Sequence, residues 1–297
     1  MRRLLCMAAC VFSALAAFQP HLAAQKQQQV FLKLVDPSGA PVTDLQASEV
    51  TVSEDGVACK TLKVEPVDWP MKLQVLVDNG PSTTGQMNSL RDGLRAFFDQ
   101  IPEGVEMSMV TTAPNSRMVV KPTTDKQKLI DGIGLIAPDR GAGAFFEALV
   151  EATGRIDKDK APHFPVIFMI GSDFGRSGLS DRDFQKLQDM IIKRAATVHV
   201  ALVASAVGGS TKEGAQVEVG LGVTKLSGGR YENIAATTRL ATLLPEFGKQ
   251  IAQSQARQSH QYRVTYERPA KSKETPQISL SLTRQGTPVL TLDGHMP

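Results

Sequence analysis

Cysteine is scarce in this chain of 297 residues, and its scarcity limits the class of protein that the chain can form. Three cysteines are present, and two of them, Cys6 and Cys10, lie within the first ten residues. If an N-terminal leader is removed, Cys59 alone is left, and one cysteine cannot form an internal disulfide. Stability must then come from a packed core, which a chain of this length can supply. We interpret Cys59 as a small buried thiol rather than a nucleophile.

Motifs of several enzyme classes are also missing. The sequence contains no Gly-x-Ser-x-Gly nucleophile elbow and no Walker loop. Its five histidines show no metal-ligand spacing such as His-x-x-x-His, and His199, within an apolar stretch, is interpreted as structural. An enzyme needs a polarised nucleophile and a general base, and the sequence offers no such pair beyond two aspartates. We therefore predict that the protein is not an enzyme.

Concentrated charge and long apolar runs are rare as well. The net charge is only +3, and the lysines and arginines are scattered without a basic run of the kind that marks a nucleic-acid-binding patch. Beyond the N-terminus, no segment reaches the roughly 20 apolar residues that a membrane-spanning helix needs. The composition, 42% hydrophobic and 21% charged, is that of an ordinary globular chain with one or two domains. Nucleic acid and membrane are therefore not expected as partners.

The N-terminus has the layout of a secretory signal peptide. Arg2 and Arg3 precede an apolar run at 4–18, and small residues end at Ala24. We expect residues 1–24 to be removed and the mature protein, beginning near Gln25, to be exported to the periplasm or secreted.

Two alternatives to a cleaved leader remain open. The first is an uncleaved membrane anchor. Such an anchor would need a longer apolar stretch, because residues 19–21 interrupt the apolar run that precedes them. A lipoprotein site at Cys10 would need a longer apolar segment before the cysteine.

The rest of the chain divides into a β segment at 25–68, an α/β domain at 69–256 and a second β segment at 257–297. In the first, Asp-Gly at 55–56 separates alternating runs, which is typical of a hairpin. In the α/β domain, apolar strands alternate with amphipathic helices, which predicts a doubly wound, mostly parallel sheet covered on both faces. Neither β segment can bury its own face, so we expect the two to pair into one small antiparallel β domain.

Two stretches resemble the metal-site loops of von Willebrand factor type A domains. Val75-Leu76-Val77-Asp78-Asn79-Gly80-Pro81-Ser82 is similar to that family's first strand and Asp-x-Ser-x-Ser loop, and residues 167–175 are similar to the strand and loop that carry its second aspartate. Residues 35–42, Leu45 and residues 52–57 are similar to the N-terminal region of an acidobacterial type A-related group, and so are residues 261–266 near the end of the chain. The resemblance covers essentially the whole mature chain. It implies a Rossmann-like fold that binds a protein or matrix-like partner.

The resemblance implies a Mg²⁺ site formed by Asp78, Ser82 and Asp173. In open α/β sheets, ligands bind at the carboxyl ends of strands, where the strand order reverses. Asp78 and Asp173 each follow an apolar strand. If the two strands are neighbours, their carboxylates meet there, and Mg²⁺ prefers such oxygen ligands.

The sequence departs from the family pattern at two hydroxyl positions. Gly80 stands where the first motif serine is usual, and Gly143 aligns with the motif threonine. We therefore expect Mg²⁺ binding to be weak or absent, and we expect Gly80→Ser with Gly143→Thr to strengthen it if both backbones accept a side chain. In the alternative interpretation, Asp78 and Asp173 cap loop amides and the site has decayed.

These observations predict an exported, non-enzymatic binding or adhesion-type module with a degenerate metal-ion-dependent adhesion site. One alternative is a structural assembly subunit without a ligand site. The other is an exported metal-dependent hydrolase that uses the two aspartates.

Overall fold

A computed structural model describes residues 27–38, 40–85, 87–173, 180–204, 214–258, 260–273, 276–285 and 287–291. The predicted signal peptide lies outside these ranges, so its cleavage and the export of the chain stay predictions. Within the described ranges, none of the helices combines the length and the apolar character that crossing a membrane requires.

Thirteen strands are assigned within the described residues. They are β1 (Gln27–Val35), β2 (Val50–Glu54), β3 (Val57–Ala58), β4 (Lys60–Val67), β5 (Met71–Val77), β6 (Glu106–Thr111), β7 (Arg117–Thr123), β8 (Phe164–Ser172), β9 (Thr197–Val203), β10 (Tyr231–Ile234), β11 (Gln261–Glu267), β12 (Ile278–Leu282) and β13 (Thr287–Thr291).

Seven α-helices lie in the α/β part of the described chain. They are α1 (Pro81–Thr84), α2 (Met87–Gln100), α3 (Lys126–Ile133), α4 (Phe145–Lys158), α5 (Asp181–Lys193), α6 (Gly214–Ser227) and α7 (Leu240–Gln258). Ser180 begins α5 with a capping box, in which its side chain accepts from the backbone of Asp183.

A six-stranded sheet, in the order β10-β9-β8-β5-β6-β7, forms the centre of the α/β part. All neighbouring strands are parallel except β6 and β7. One face packs on α2, α3 and α7, and the other packs on α4, α5 and α6. Because both faces are covered, β8 is buried along its whole length. The predicted doubly wound, mostly parallel α/β fold is confirmed.

Three short elements of this part do not follow from the hydrophobic pattern. The edge strand β7 is largely exposed, and β10, at the opposite edge, has only four residues. The eight-residue helix α3 begins at Asp125, whose side chain accepts from Gln127 N–H. Elements this short contribute few buried residues to the core, so they leave little periodicity in the sequence.

The N- and C-terminal β segments pair with one another, as predicted. Strand β11 lies between β1 and β4 in an antiparallel sheet of order β13-β1-β11-β4, and β12 pairs with β2 in a second sheet of order β12-β2-β3. Leu32 of β1, Val52 of β2 and Val264 of β11 share one apolar core. The prediction of a small antiparallel β domain from both ends of the chain is confirmed, although the exact segment limits stay predictions.

Cys59 lies between β3 and β4 at the border of this β core, where it is half-buried. Burial is the main cause that raises the pKa of its thiol above the ordinary value. A raised pKa keeps the thiol protonated, which fits the interpretation of Cys59 as a packing residue rather than a nucleophile.

An aromatic cluster connects the β part with the central sheet. The ring of Trp69, in the segment between β4 and β5, lies 6.0 Å from Phe31 of β1 and 5.7 Å from Phe164 of β8, measured between ring centroids. Val67 completes this cluster. The two parts of the described chain therefore share a packed apolar contact at the amino end of β5 and β8.

Candidate functional site

Asp78 is held at the carboxyl end of β5, where the strand order reverses. Its N–H donates to Ile170 O of the neighbouring strand β8 at 2.8 Å, which extends the parallel ladder by one residue. Because β5 and β8 are adjacent, the strand ends that carry Asp78 and Asp173 lie side by side, as the metal-site hypothesis requires. This is the position at which open α/β sheets bind ligands.

The Asp78 carboxylate is almost fully enclosed, with 4% of the residue exposed. Its Oδ1 accepts from Gly80 N–H at 2.8 Å, and its Oδ2 accepts from the Ser172 hydroxyl at 3.1 Å. Burial, the largest cause, raises the pKa of this carboxyl, and the hydrogen bonds from Gly80 and Ser172 only partly oppose it. A buried carboxylate with no cationic partner among these contacts would gain from a bound cation.

The structure describes fewer contacts for the other two predicted metal ligands, Asp173 and Ser82. Asp173 directly follows Ser172, is half-buried, and donates its N–H to Val203 O of β9 at 3.1 Å. Ser82 lies in α1, and its side chain falls outside the described part of the structure. The described contacts thus join Asp78 to Ser172, and the roles of Asp78, Ser82 and Asp173 as metal ligands stay predictions.

The two glycines at the predicted hydroxyl positions, Gly80 and Gly143, both lie against Asp78. A Cβ atom added to Gly143 would stand 2.6 Å from Oδ1 and 2.8 Å from Oδ2 of Asp78, whereas one added to Gly80 would stand 3.0 Å from Oδ1. Gly80 has a φ of −76°, so its backbone accepts any residue. Space beside the carboxylate, rather than backbone conformation, therefore limits the restoration of hydroxyls at these positions.

Asn79 ties three loops together at this end of the sheet. Its side-chain Nδ2 donates to Ala137 O at 2.7 Å, and its Oδ1 accepts from Ala113 N–H at 3.1 Å. Its backbone carbonyl accepts from Asp139 N–H at 2.8 Å. Asn79 is 3% exposed, and its bond from Ala113 N–H is buried away from water. Sequence reasoning missed this role, although an asparagine directly after a strand-end aspartate is a recognisable loop signal.

Two adjacent threonines at the end of β6 are fully buried, and their hydroxyls have no hydrogen-bond partner among the described residues. They are Thr111 and Thr112, each 0% exposed. Thr112 N–H donates to Val77 O at 3.0 Å, and Thr112 O accepts from Ala144 N–H at 3.1 Å. A buried hydroxyl without a hydrogen-bond partner lowers the stability of the folded protein, so each of these two positions requires a physical explanation.

The donors around Asp78 are all oxygens, which is the chemistry that hard cations such as Mg²⁺ prefer. The described contacts bring together one carboxylate, that of Asp78, and one hydroxyl, that of Ser172. Across the described ranges, no cluster of three or more His, Cys, Asp or Glu side chains is arranged to hold a metal ion. The donor set fits a hydrated, weakly held hard cation better than a fully protein-coordinated one.

His199 of β9 is buried, as expected of a structural histidine. Its Nδ1 accepts from Arg230 N–H at 3.0 Å, and burial lowers the pKa of the ring to about 4. The ring is therefore neutral near pH 7 and serves to join β9 to the segment before β10.

The fold is similar to von Willebrand factor type A domains of known structure. A von Willebrand factor type A protein from Catenulispora acidiphila is 12% identical, with a TM-score of 0.49, and the match covers 90% of this chain and 72% of that one. The conserved hypothetical protein BatB from Bacteroides thetaiotaomicron is 14% identical, with a TM-score of 0.47, over 62% of this chain and 99% of that one. The SpRpn10 VWA domain is 12% identical, with a TM-score of 0.46, over 61% and 97%.

No protein-family model and no curated protein matches the chain. At 10–14% identity the likeness to solved structures concerns the fold alone. What the chain binds has to be argued from its own residues.

Proposed function

We propose that this chain is an exported, non-enzymatic interaction module of the von Willebrand factor A type, which binds a protein or matrix-like partner at the carboxyl end of its central sheet. The observation that carries the proposal is the enclosed Asp78 carboxylate at the strand-order reversal, with glycines at 80 and 143 beside it. The loops around it are joined by Asn79, which gives a partner a preorganised surface.

The module has a degenerate cation site in this proposal. Asp78, Ser82 and Asp173 are its motif residues, and the two motif hydroxyls at 80 and 143 are lost. Mg²⁺ sheds water reluctantly, so an ion held by few protein ligands keeps most of its water and binds weakly or not at all. Partner binding then depends on the shape and polarity of the loop surface more than on a metal bridge.

Site-specific photo-cross-linking tests where the partner docks. A photoreactive residue at Arg140, exposed in the loop before α4, samples the carboxyl end of the sheet, and one at Lys160, exposed just after α4, samples the amino end. Each variant is expressed in the native host, and exported material is cross-linked. We expect a discrete adduct from position 140 and none from position 160. Adducts formed equally at both positions, or only at 160, would place the interaction elsewhere.

The two alternative functions are less well supported by this geometry. A hydrolase would need a carboxylate free to take a proton, whereas both oxygens of the buried Asp78 carboxylate already accept hydrogen bonds. A structural assembly subunit would use the fold without this site. The cross-linking experiment separates it from the proposal, because assembly contacts need not involve the loop at 140.

A further inference from the structure

We infer that the hydroxyls missing at positions 80 and 143 are replaced in this chain by Thr112 and Ser172, which would complete the oxygen shell of a hard divalent cation beside Asp78. This inference rests on the proposed function, because it specifies which side chains serve the cation site of that module. It assigns roles to two residues outside the motif positions.

Thr112 lies at the strand position that matches Asp78. Thr111 pairs with Val77 in the parallel β5–β6 ladder, and Thr112 N–H, which donates to Val77 O, continues that ladder by one hydrogen bond. Asp78 continues the ladder on the other side of β5, where its N–H donates to Ile170 O of β8. Side chains alternate between the two faces of a strand. Val77 belongs to the core on the α2 side of the sheet, and Thr111 shares that side. The side chains of the next residues, Thr112 and Asp78, therefore leave the backbone on the α4 side.

The segment that leads into α4 contacts both residues. Gly143 lies directly against the Asp78 carboxylate, and the next N–H, that of Ala144, donates to Thr112 O. The backbone of Thr112 therefore lies between the end of β5 and the start of α4, and strand alternation directs its side chain to this same side of the sheet. The Thr112 hydroxyl oxygen has no hydrogen-bond partner in the described chain, and a cation or its bound water would supply one.

Ser172 approaches Asp78 from the other neighbouring strand. Its hydroxyl donates to Asp78 Oδ2 at 3.1 Å, so its oxygen already stands beside the carboxylate. Thr112 at the end of β6 and Ser172 at the end of β8 thus flank Asp78 at the end of β5. Three oxygen donors from three adjacent strand ends suit an ion that otherwise keeps its water.

Thr111 provides a matched control for Thr112. Both threonines are fully buried and both lack a hydrogen-bond partner in the described residues, but Thr111 pairs with Val77 and shares its face of the sheet, away from α4. Replacing either with valine keeps the shape and removes a buried unpaired hydroxyl, so neither variant should lose stability in metal-free buffer. Only Thr112→Val should affect a cation at Asp78.

The experiment titrates the mature chain with Mn²⁺, an EPR-visible hard cation, and records the Mg²⁺-dependent rise in melting temperature. We expect Thr112→Val and Ser172→Ala each to raise the Kd for Mn²⁺ about tenfold and to reduce the Mg²⁺-dependent rise, whereas Thr111→Val should match the wild type. Equal Mn²⁺ affinity in Thr112→Val and wild type would overturn the inference, as would no Mn²⁺ binding by the wild type. Neither result affects the interaction-module proposal, which the adduct at position 140 tests separately.

Discussion

Replacing Glu54 with alanine should destabilise the folded protein by about 3–5 kcal/mol, because it removes one partner of a buried ion pair. The Glu54 side chain is 1% exposed, and its carboxylate accepts from Arg268 Nε at 2.9 Å and from Tyr266 Oη at 2.7 Å. Ser272 also donates to it. The variant leaves the Arg268 guanidinium and the Tyr266 hydroxyl without this acceptor inside the β part. Urea unfolding followed by circular dichroism measures the change.

Glu65→Ala is the matched control, since Glu65 also pairs with an arginine, Arg263 of β11. The Arg263–Glu65 distance is 3.0 Å, but these side chains are 30% and 29% exposed. Water screens such a pair, so the loss should be only about 0–1 kcal/mol. Equal losses in the Glu54 and Glu65 variants would contradict the account of the buried cluster.

The Glu54 cluster should also make stability depend on pH. Burial, the largest single cause, raises the Glu54 pKa, but the hydrogen bonds from Ser272, Tyr266 and Arg268 together outweigh it and place the pKa below the ordinary value of 4.5. A lowered pKa contributes stability above 4.5, and that contribution disappears as the pH falls through the folded-state pKa. In the Glu54→Ala variant, the free energy of unfolding should therefore fall less than in the wild type as the pH is lowered through this range.

Asn79→Ala should be the most damaging single change within the candidate site. It deletes the buried hydrogen bond from Ala113 N–H and the part-buried one to the Ala137 carbonyl. Leaving the buried Ala113 N–H unpaired costs about 1–3 kcal/mol, so the variant should lose about that much stability. Amide hydrogen exchange should accelerate around Ala113 and in the loop at 137–141.

An exposed amide side chain serves as the control for Asn79. Gln127 Nε2 donates to Asp131 at 2.8 Å on the surface of α3. Gln127→Ala should change stability by no more than about 0.5 kcal/mol and leave exchange in the two loops unaltered. Unchanged exchange at Ala113 in Asn79→Ala would show that the loops do not depend on this side chain.

The sequence predicts the principal layers because burial leaves a pattern. The continuous apolar run of β8 and the spacing of Leu90 and Leu94 in α2 reflect elements buried over most of their length. The same reasoning overlooks β7, since an edge strand exposed to water has no reason to be apolar. It also cannot supply the order of the strands, which the structure gives.

The candidate site is predictable only in part, for a different reason. Asp78 and Asp173 follow apolar strands, so their place at the carboxyl end of the sheet can be read from the chain. Thr112 and Ser172 are single hydroxyl residues in apolar surroundings, and their relation to Asp78 arises from strand register. Register between strands distant in the sequence leaves no local motif, so those two residues emerge only from the structure.

The central claim is that Asp78 organises a weak cation site at the carboxyl end of the central sheet. Calorimetric titration of Mg²⁺ into the mature wild type and into Asp78→Asn tests it most directly. The asparagine keeps the shape of the aspartate and can still accept from Gly80 N–H, so the loop should persist while the charge is lost. The account predicts weak Mg²⁺ binding by the wild type and none by the variant. Tight Mg²⁺ binding that persists unchanged in Asp78→Asn would contradict it, because the cation would then be held elsewhere in the chain.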